Sequence, residues 1–206
     1  LAATKEMLEA LNTIGVDALL VQDMGILELI EHWDAKVPFR MELHASTQTD
    51  NRTAEKVRWL KEVGFKRAVL ARELSAREIA RIHHAVPEMD LEVFVHGALC
   101  VSYSGVCYAS QHCFHRSANR GECAQFCRMK FDLLDSNQHE VEHQRHLLSM
   151  RDMCQLEHLQ ELAESGACSF KIEGRLKDVE YVKNVVSAYS KELNKIVNSQ
   201  IGRAHV

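Results

Sequence analysis

Several absences narrow the class of this 206-residue chain. No apolar run approaches the roughly 20 residues that a membrane span needs, so no membrane partner is expected. Excess positive charge is missing too. A formal net charge of −4 exerts no general pull toward nucleic acid. DNA is therefore not an expected partner, and any RNA contact must come from a local basic patch or from sequence outside this chain. Neither a GxSxG elbow nor an HExxH helix occurs, which removes two sequence marks of a hydrolase. Two prolines and nine glycines beside 46% hydrophobic residues describe a globular chain with ample core. The chain opens at Leu1 inside a helical pattern, with no signal peptide. It closes on IGRAHV, which has no structural logic after a long amphipathic helix and matches a common sequencing-adapter read-through. The expectation is a cytoplasmic fragment of a longer reading frame with an artefactual tail at 201–206.

What is present is concentrated between Glu92 and Arg128, a stretch that gathers five of the seven cysteines. Cys100 and Cys107 close one short loop, and Cys123 and Cys127 sit on a second. Between them Gly105, Gly121, Ser104, Ser117 and Asn119 allow tight turns without regular structure. A loop this long and this free of apolar periodicity is not ordered by packing alone. Four thiolates around a metal would tie it down. Disulfides need an oxidising compartment, of which nothing here gives a sign. Structural zinc favours two close Cys-x(2–4)-Cys pairs, and only Cys123 with Cys127 is that tight. An iron–sulfur cluster accepts uneven spacing. Spacing alone leaves iron–sulfur and zinc equally open, with reduced free thiols as a third reading. Cys113 reads as a bystander, and Cys154 and Cys168 as small hydrophobes.

From Leu1 to Asp90, short apolar runs alternate with helical periods. Helices are predicted at Ala2–Ile14, around Ile26–Ile30, at Thr49–Val63 and at Ser75–Val86, the last with a Ser75/Glu78 capping box. Strands are predicted at Asp17–Gln22, Phe39–Ala45, Arg67–Ala71 and Leu91–Val95. The units recur about every 25 residues, the pitch of a βα repeat, so a parallel sheet covered by helices is expected. After the cysteine loop, Met129–Asp135 and His146–Ser149 read as a hairpin around a polar turn holding His139, His143 and His146. A helix at Gln155–Ser165, a strand at Ser169–Gly174 and an amphipathic helix at Asp178–Val197 follow. That last helix carries Val179, Val182, Val185, Val186 and Tyr189 on its apolar stripe.

Parallel strands covered by helices are usually apolar on both faces. Here they carry polar residues at every second position: His44 and Ser46, Glu92 and His96, and Lys171, Glu173 and Arg175. His44 and His96 are each either hydrogen-bonded interior histidines or proton carriers. Arg72 beside Glu73 is a surface ion pair or a ligand contact. Lys171, Glu173 and Arg175 on one face need partners or an anionic ligand, because so much charge is costly to bury alone.

Four blocks carry a family resemblance. They are the run from Glu92 through Gly97-Ala98-Leu99-Cys100 to Gly105-x-Cys107 and Ser110, RSANRGECAQ at Arg116–Gln125, LHASTQ at Leu43–Gln48, and SFKIEGRLK at Ser169–Lys177. Together they resemble the collagenase-like peptidase family, U32, and in particular its RNA-hydroxylating members. The likeness runs from about Val16 to Tyr189. It implies an α/β fold, an incomplete (β/α) TIM-like barrel. On that reading 1–97 holds the βα repeats, 98–150 the cysteine-rich loop and hairpin insertion, and 151–200 the last βα unit. It also implies a 4Fe–4S cluster on Cys100, Cys107, Cys123 and Cys127. Two positions depart from the family pattern. Ala109 stands where a larger aliphatic is usual, and Phe126 stands where proline is usual, which is expected to loosen the turn presenting Cys127.

In the RNA-modifying members the resemblance implies hydroxylation of tRNA or ribosomal RNA, with prephenate as a possible co-substrate and oxygen donor. Lys171 and Arg175, with Arg72, would then hold substrate carboxylates. His44, His96 and Glu173 would be the catalytic candidates. A peptidase is the reading from a different class, with a cysteine and His96 as its only candidate pair. A non-catalytic cluster-binding domain is the third.

Overall fold

The computed structural model describes residues 1–174 and 177–203, so Arg175 and residues 204–206 of the expected tail lie outside the described residues. The chain divides into two compact units, Leu1–Phe94 with Glu161–Phe170, and Val95–Gln160 with Lys171–Val206.

The first unit is built of βα repeats. Helix α1 (Ala2–Ile14) leads into β1 (Ala18–Val21), α2 (Gly25–Glu31), β2 (Glu42–Ala45), α3 (Ala54–Glu62), β3 (Arg67–Val69), α4 (Ala76–Ala85) and β4 (Asp90–Gly97). The strands pair in parallel and in chain order, with Leu20 opposite His44, His44 opposite Arg67, and Arg67 opposite Asp90. Parallel neighbours need a crossover, and the intervening helices supply it. One set of alternating positions, including Ala45, Ala68 and Leu91, is buried together with Val57 and Leu60 of α3 and Ile79 and Ile82 of α4. The other set mixes polar His44, Arg67 and Glu92 with apolar Leu20 and Val69. The Ser75/Glu78 capping box forms as the sequence predicts. Helix α3 instead starts later than the predicted Thr49, because Ser46, Thr47 and Asn51 are taken up by the turn after β2 and Thr53 is the cap, accepting the Lys56 amide at 3.2 Å. Strand β1 has β2 as its only neighbour among the described residues, so the sheet is an open, mainly parallel one.

The LHASTQ block closes β2 with a polar knot. Asn51, fully buried, donates to the carbonyls of Ser46 and Val69, each at 2.9 Å, and Thr47 donates to Leu70 at 3.1 Å. Ser46 caps the turn through the Gln48 amide.

The second unit contains α5 (Ala109–Phe114), β5 (Phe131–Leu134), β6 (Glu140–Arg145) and β7 (Met153–Cys154). Beyond α6 (Leu159–Glu164) and β8 (Ala167–Ile172) comes α7 (Val179–Arg203). Three features differ from the sequence reading. The second hairpin strand is Glu140–Arg145, not His146–Ser149, because every residue of EVEHQR is exposed and leaves no apolar face to read. Strand β7 is two residues long and pairs antiparallel with β4, Cys154 opposite His96. On α7, Tyr189 and Ile196 are buried and Val182 and Val185 half-buried, whereas Val179 and Val186 of the expected stripe are exposed. Val186 lies one step, about 100°, around the helix from Val185.

Candidate functional site

The cysteine loop leaves β4 at Gly97, whose φ is 108°. A Cβ there would run into the Glu173 carbonyl, so only glycine lets the strand end pass so close. The loop is then fastened at its two ends by Arg128. Its guanidinium donates to the Leu99 carbonyl at 2.6 Å, to the Met150 carbonyl at 2.6 Å and to Ser149 Oγ at 2.9 Å. Leu99 precedes Cys100 and Arg128 follows Cys127, so this one side chain ties the neighbours of two cysteines together. The middle of the loop is pinned through α5. Ser110 Oγ accepts the Ala124 amide at 3.0 Å and lies 4.0 Å from Cys123 Sγ, which also accepts the Gln125 amide at 3.4 Å. Cys107 lies two residues before α5 begins at Ala109. The Phe126 ring packs edge-on against Phe131 at 5.0 Å and lies 6.2 Å from Phe114.

All seven cysteines are free thiols. Burial pushes the Cys127 thiol up, the charges of Cys100 and Cys123 add to that, and Arg128 opposes it. Cys127 thus senses the neighbouring Cys100 and Cys123. Four free thiols in one loop, one of them accepting a backbone amide, have the chemistry that a thiolate-held cluster needs. Cys113, Cys154 and Cys168 are exposed, so the last two are not the buried hydrophobes expected. The hairpin histidines do not converge. His139 pairs with Asp135, His143 with Asp132 and Glu140, and His146 Nδ1 lies 3.0 Å from the Arg128 carbonyl.

His96 lies in the same unit. Its Nδ1 is 3.3 Å from Tyr189 Oη, and its ring meets Tyr189 edge-on at 5.5 Å and Tyr181 at 5.8 Å. Burial lowers its pKa, Asp152 opposes this and Lys177 reinforces it. Tyr189 Oη donates to the Val95 carbonyl at 2.7 Å and accepts the Gln155 amide at 3.0 Å. Burial is the chief reason its pKa is pushed up to about 12. Glu173 donates its backbone amide to the His96 carbonyl at 2.8 Å, and Lys171 is half-buried on β8. Tyr189 was read only as part of an apolar stripe; its partners are 34 and 94 residues away, beyond any local pattern.

The remaining candidates belong to the first unit. His44 Nε2 lies 3.3 Å from Glu42, two residues along its own strand. The Arg72 guanidinium stacks 3.8 Å over Phe94 in a cation–π contact. Sequence reasoning missed Arg67. It reaches Asp90 at 3.2 Å and Glu92 at 3.6 Å, and Glu92 also accepts Ser169 Oγ at 2.8 Å. Burial disfavours the Arg67 charge, but the hydrogen bond and charge of Asp90 outweigh this and raise its pKa. Its signal was a charged residue opening a parallel strand, in line with Asp90 on the next.

Fold and site together define an α/β protein with a mainly parallel sheet and a gathered cysteine loop following one of its strands. The chain belongs to peptidase family U32, whose sequence profile matches residues 1–204. It is 48% identical over 200 residues to the 23S rRNA 5-hydroxycytidine C2501 synthase of Escherichia coli K12, covering 97% of this chain and 29% of that protein. It is 36% identical over 196 residues to tRNA hydroxylation protein P1 of Bacillus subtilis 168, covering 92% and 45%. An uncharacterized protease of Methanocaldococcus jannaschii is 35% identical over 207 residues, covering 96% and 49%. The chain thus spans between 29% and 49% of the length of these relatives. No helix among the described residues is long and apolar enough to cross a membrane.

Proposed function

We propose that the chain is the cluster-bearing part of an RNA hydroxylase, with Cys100, Cys107, Cys123 and Cys127 as ligands of a 4Fe–4S cluster. The observation that supports this is geometric: the four free thiols stand in one loop whose ends, at Leu99 and Arg128, are clamped together by the Arg128 guanidinium. The relatives named for rRNA and tRNA hydroxylation supply the substrate class. Bound there, the cluster supplies one-electron transfer. The chain's own residues hold and orient: Arg128 and Ser110 fix the ligand loop, His96 carries a proton, and Lys171 with Arg175 binds the carboxylates of prephenate as oxygen donor. Glu173 supports His96 through its backbone. RNA is drawn by the loop itself, where Arg116, Arg120, Arg128 and Lys130 face one acidic residue, Glu122, in a chain of net charge −4. Zinc on the same four sulfurs is the alternative metal. The βα order supports a (β/α) barrel for the whole protein.

A peptidase reading has one observation of its own, since Cys154 stands opposite His96 in the β4–β7 pair. The Tyr189 hydroxyl lies between them, 3.9 Å from Cys154 Sγ, and no Cys–His hydrogen bond forms among the described residues. Nucleoside mass spectrometry of RNA from cells lacking the intact gene separates the two. Loss of one hydroxylated pyrimidine, restored by the gene, is the expected result. An unchanged nucleoside profile refutes the hydroxylase.

A further inference from the structure

We infer that Tyr189 fixes the tautomer of His96, so that its Nδ1 carries the proton and its Nε2 is the basic nitrogen. Hydrogen-bond counting on one phenol oxygen leads there. The hydroxyl has one proton and two lone pairs. The Gln155 amide can only donate, and it shares its proton between the Val95 carbonyl at 2.9 Å and one Tyr189 lone pair at 3.0 Å. The Val95 carbonyl can only accept, and at 2.7 Å it takes the proton. Cys154 Sγ at 3.9 Å is the rival acceptor, and its longer, softer contact loses to the carbonyl. One lone pair of Tyr189 is left. The remaining neighbour is His96 Nδ1 at 3.3 Å, which can use it only as an N–H donor.

The consequence is chemical. A histidine with Nδ1–H presents its Nε2 lone pair, and here Nε2 has no hydrogen-bond partner among the described residues. The other groups around the ring preserve this arrangement. Tyr181 offers a ring face from α7. Asp152 and Lys177 act on the imidazole through charge, in opposite directions, and bond each other at 2.8 Å. Tyr189 is thus a positioning residue. Its hydroxyl, anchored to backbone on two sides, cannot rotate to accommodate the opposite tautomer without breaking the bond to Val95 or Gln155. The catalytic value of a basic Nε2 rests on the proposal that His96 carries a proton, whereas the tautomer itself does not.

The test is a two-bond 15N–1H correlation spectrum of the 206-residue chain labelled at histidine, at a pH where His96 is neutral, with the resonance assigned by its loss in His96→Gln. The expected spectrum shows the protonated-nitrogen shift at Nδ1 and the unprotonated shift at Nε2. In Tyr189→Phe the pattern moves toward the Nε2–H form that free imidazole side chains prefer. An Nε2–H pattern in the unaltered chain overturns the proposal without reference to any variant. An Nδ1–H pattern that persists in Tyr189→Phe overturns the part given to Tyr189. RNA hydroxylation by the full-length protein is read separately. Full activity in His96→Gln would defeat the proton-carrier role while leaving the tautomer intact.

Discussion

Tyr189 also bears on stability, because its hydroxyl adds a bond to each of two backbone groups that pair with each other. Replacing it with phenylalanine keeps the ring and removes two bonds from a Gln155–Val95 pair that still holds together at 2.9 Å, a loss of about 0.5–1.5 kcal/mol. Urea denaturation of Tyr189→Phe should show it as a lower midpoint with an unchanged slope. His96 gives the pH counterpart. Its folded pKa lies below the ordinary value of 6.5, so the unfolded chain binds the proton more readily. The contribution is intact above about pH 6.5 and is lost as pH falls through the folded value. His143 works the other way, raised by Glu140 and Asp132, but it is exposed and screened. Denaturation from pH 7.5 to 5 should therefore show a steeper acid-side loss in the unaltered chain than in His96→Gln. Equal slopes would mean that burial does not depress His96.

Among elements, the cysteine loop depends on a side chain that belongs to no ligand set. Replacing Arg128 by methionine removes the bonds to Leu99 and Met150 while keeping much of the side-chain volume. Iron bound after anaerobic reconstitution should fall several-fold in Arg128→Met, while the far-UV circular dichroism stays unchanged. Helix α4 offers a control in the other unit. Ser75→Ala breaks its capping box and should cost about 1 kcal/mol in denaturation without touching iron content. The two cases also show what a sequence exposes. The α4 cap and the βα repeats are legible because their signals are local: a serine three residues before a glutamate, and periods that switch between 2 and 3.6. The hairpin strand Glu140–Arg145 was misplaced because it buries nothing, and β7 is too short to carry a period. The Arg128 fork reaches Leu99 across 29 residues, which no window sees.

For the whole molecule, the candidate site divides. Cys100, Cys107, Cys123, Cys127, His96, Lys171 and Glu173 fall in one compact unit, and His44 and Arg72 in the other. The cysteines were legible because thiols are scarce and their spacing is uneven in a stretch with no apolar pattern. Arg67 and Tyr189 were not, since their roles arise from strand register and from packing. The central claim is that four of the seven thiols share one iron–sulfur centre. Iron and acid-labile sulfide should be measured on the anaerobically reconstituted chain beside Cys100→Ser, Cys107→Ser, Cys123→Ser, Cys127→Ser and Cys113→Ser. About four irons per chain in the unaltered protein and in Cys113→Ser, with loss in each of the other four, is the predicted result. A colourless chain holding zinc, or iron content indifferent to these serines, would contradict it.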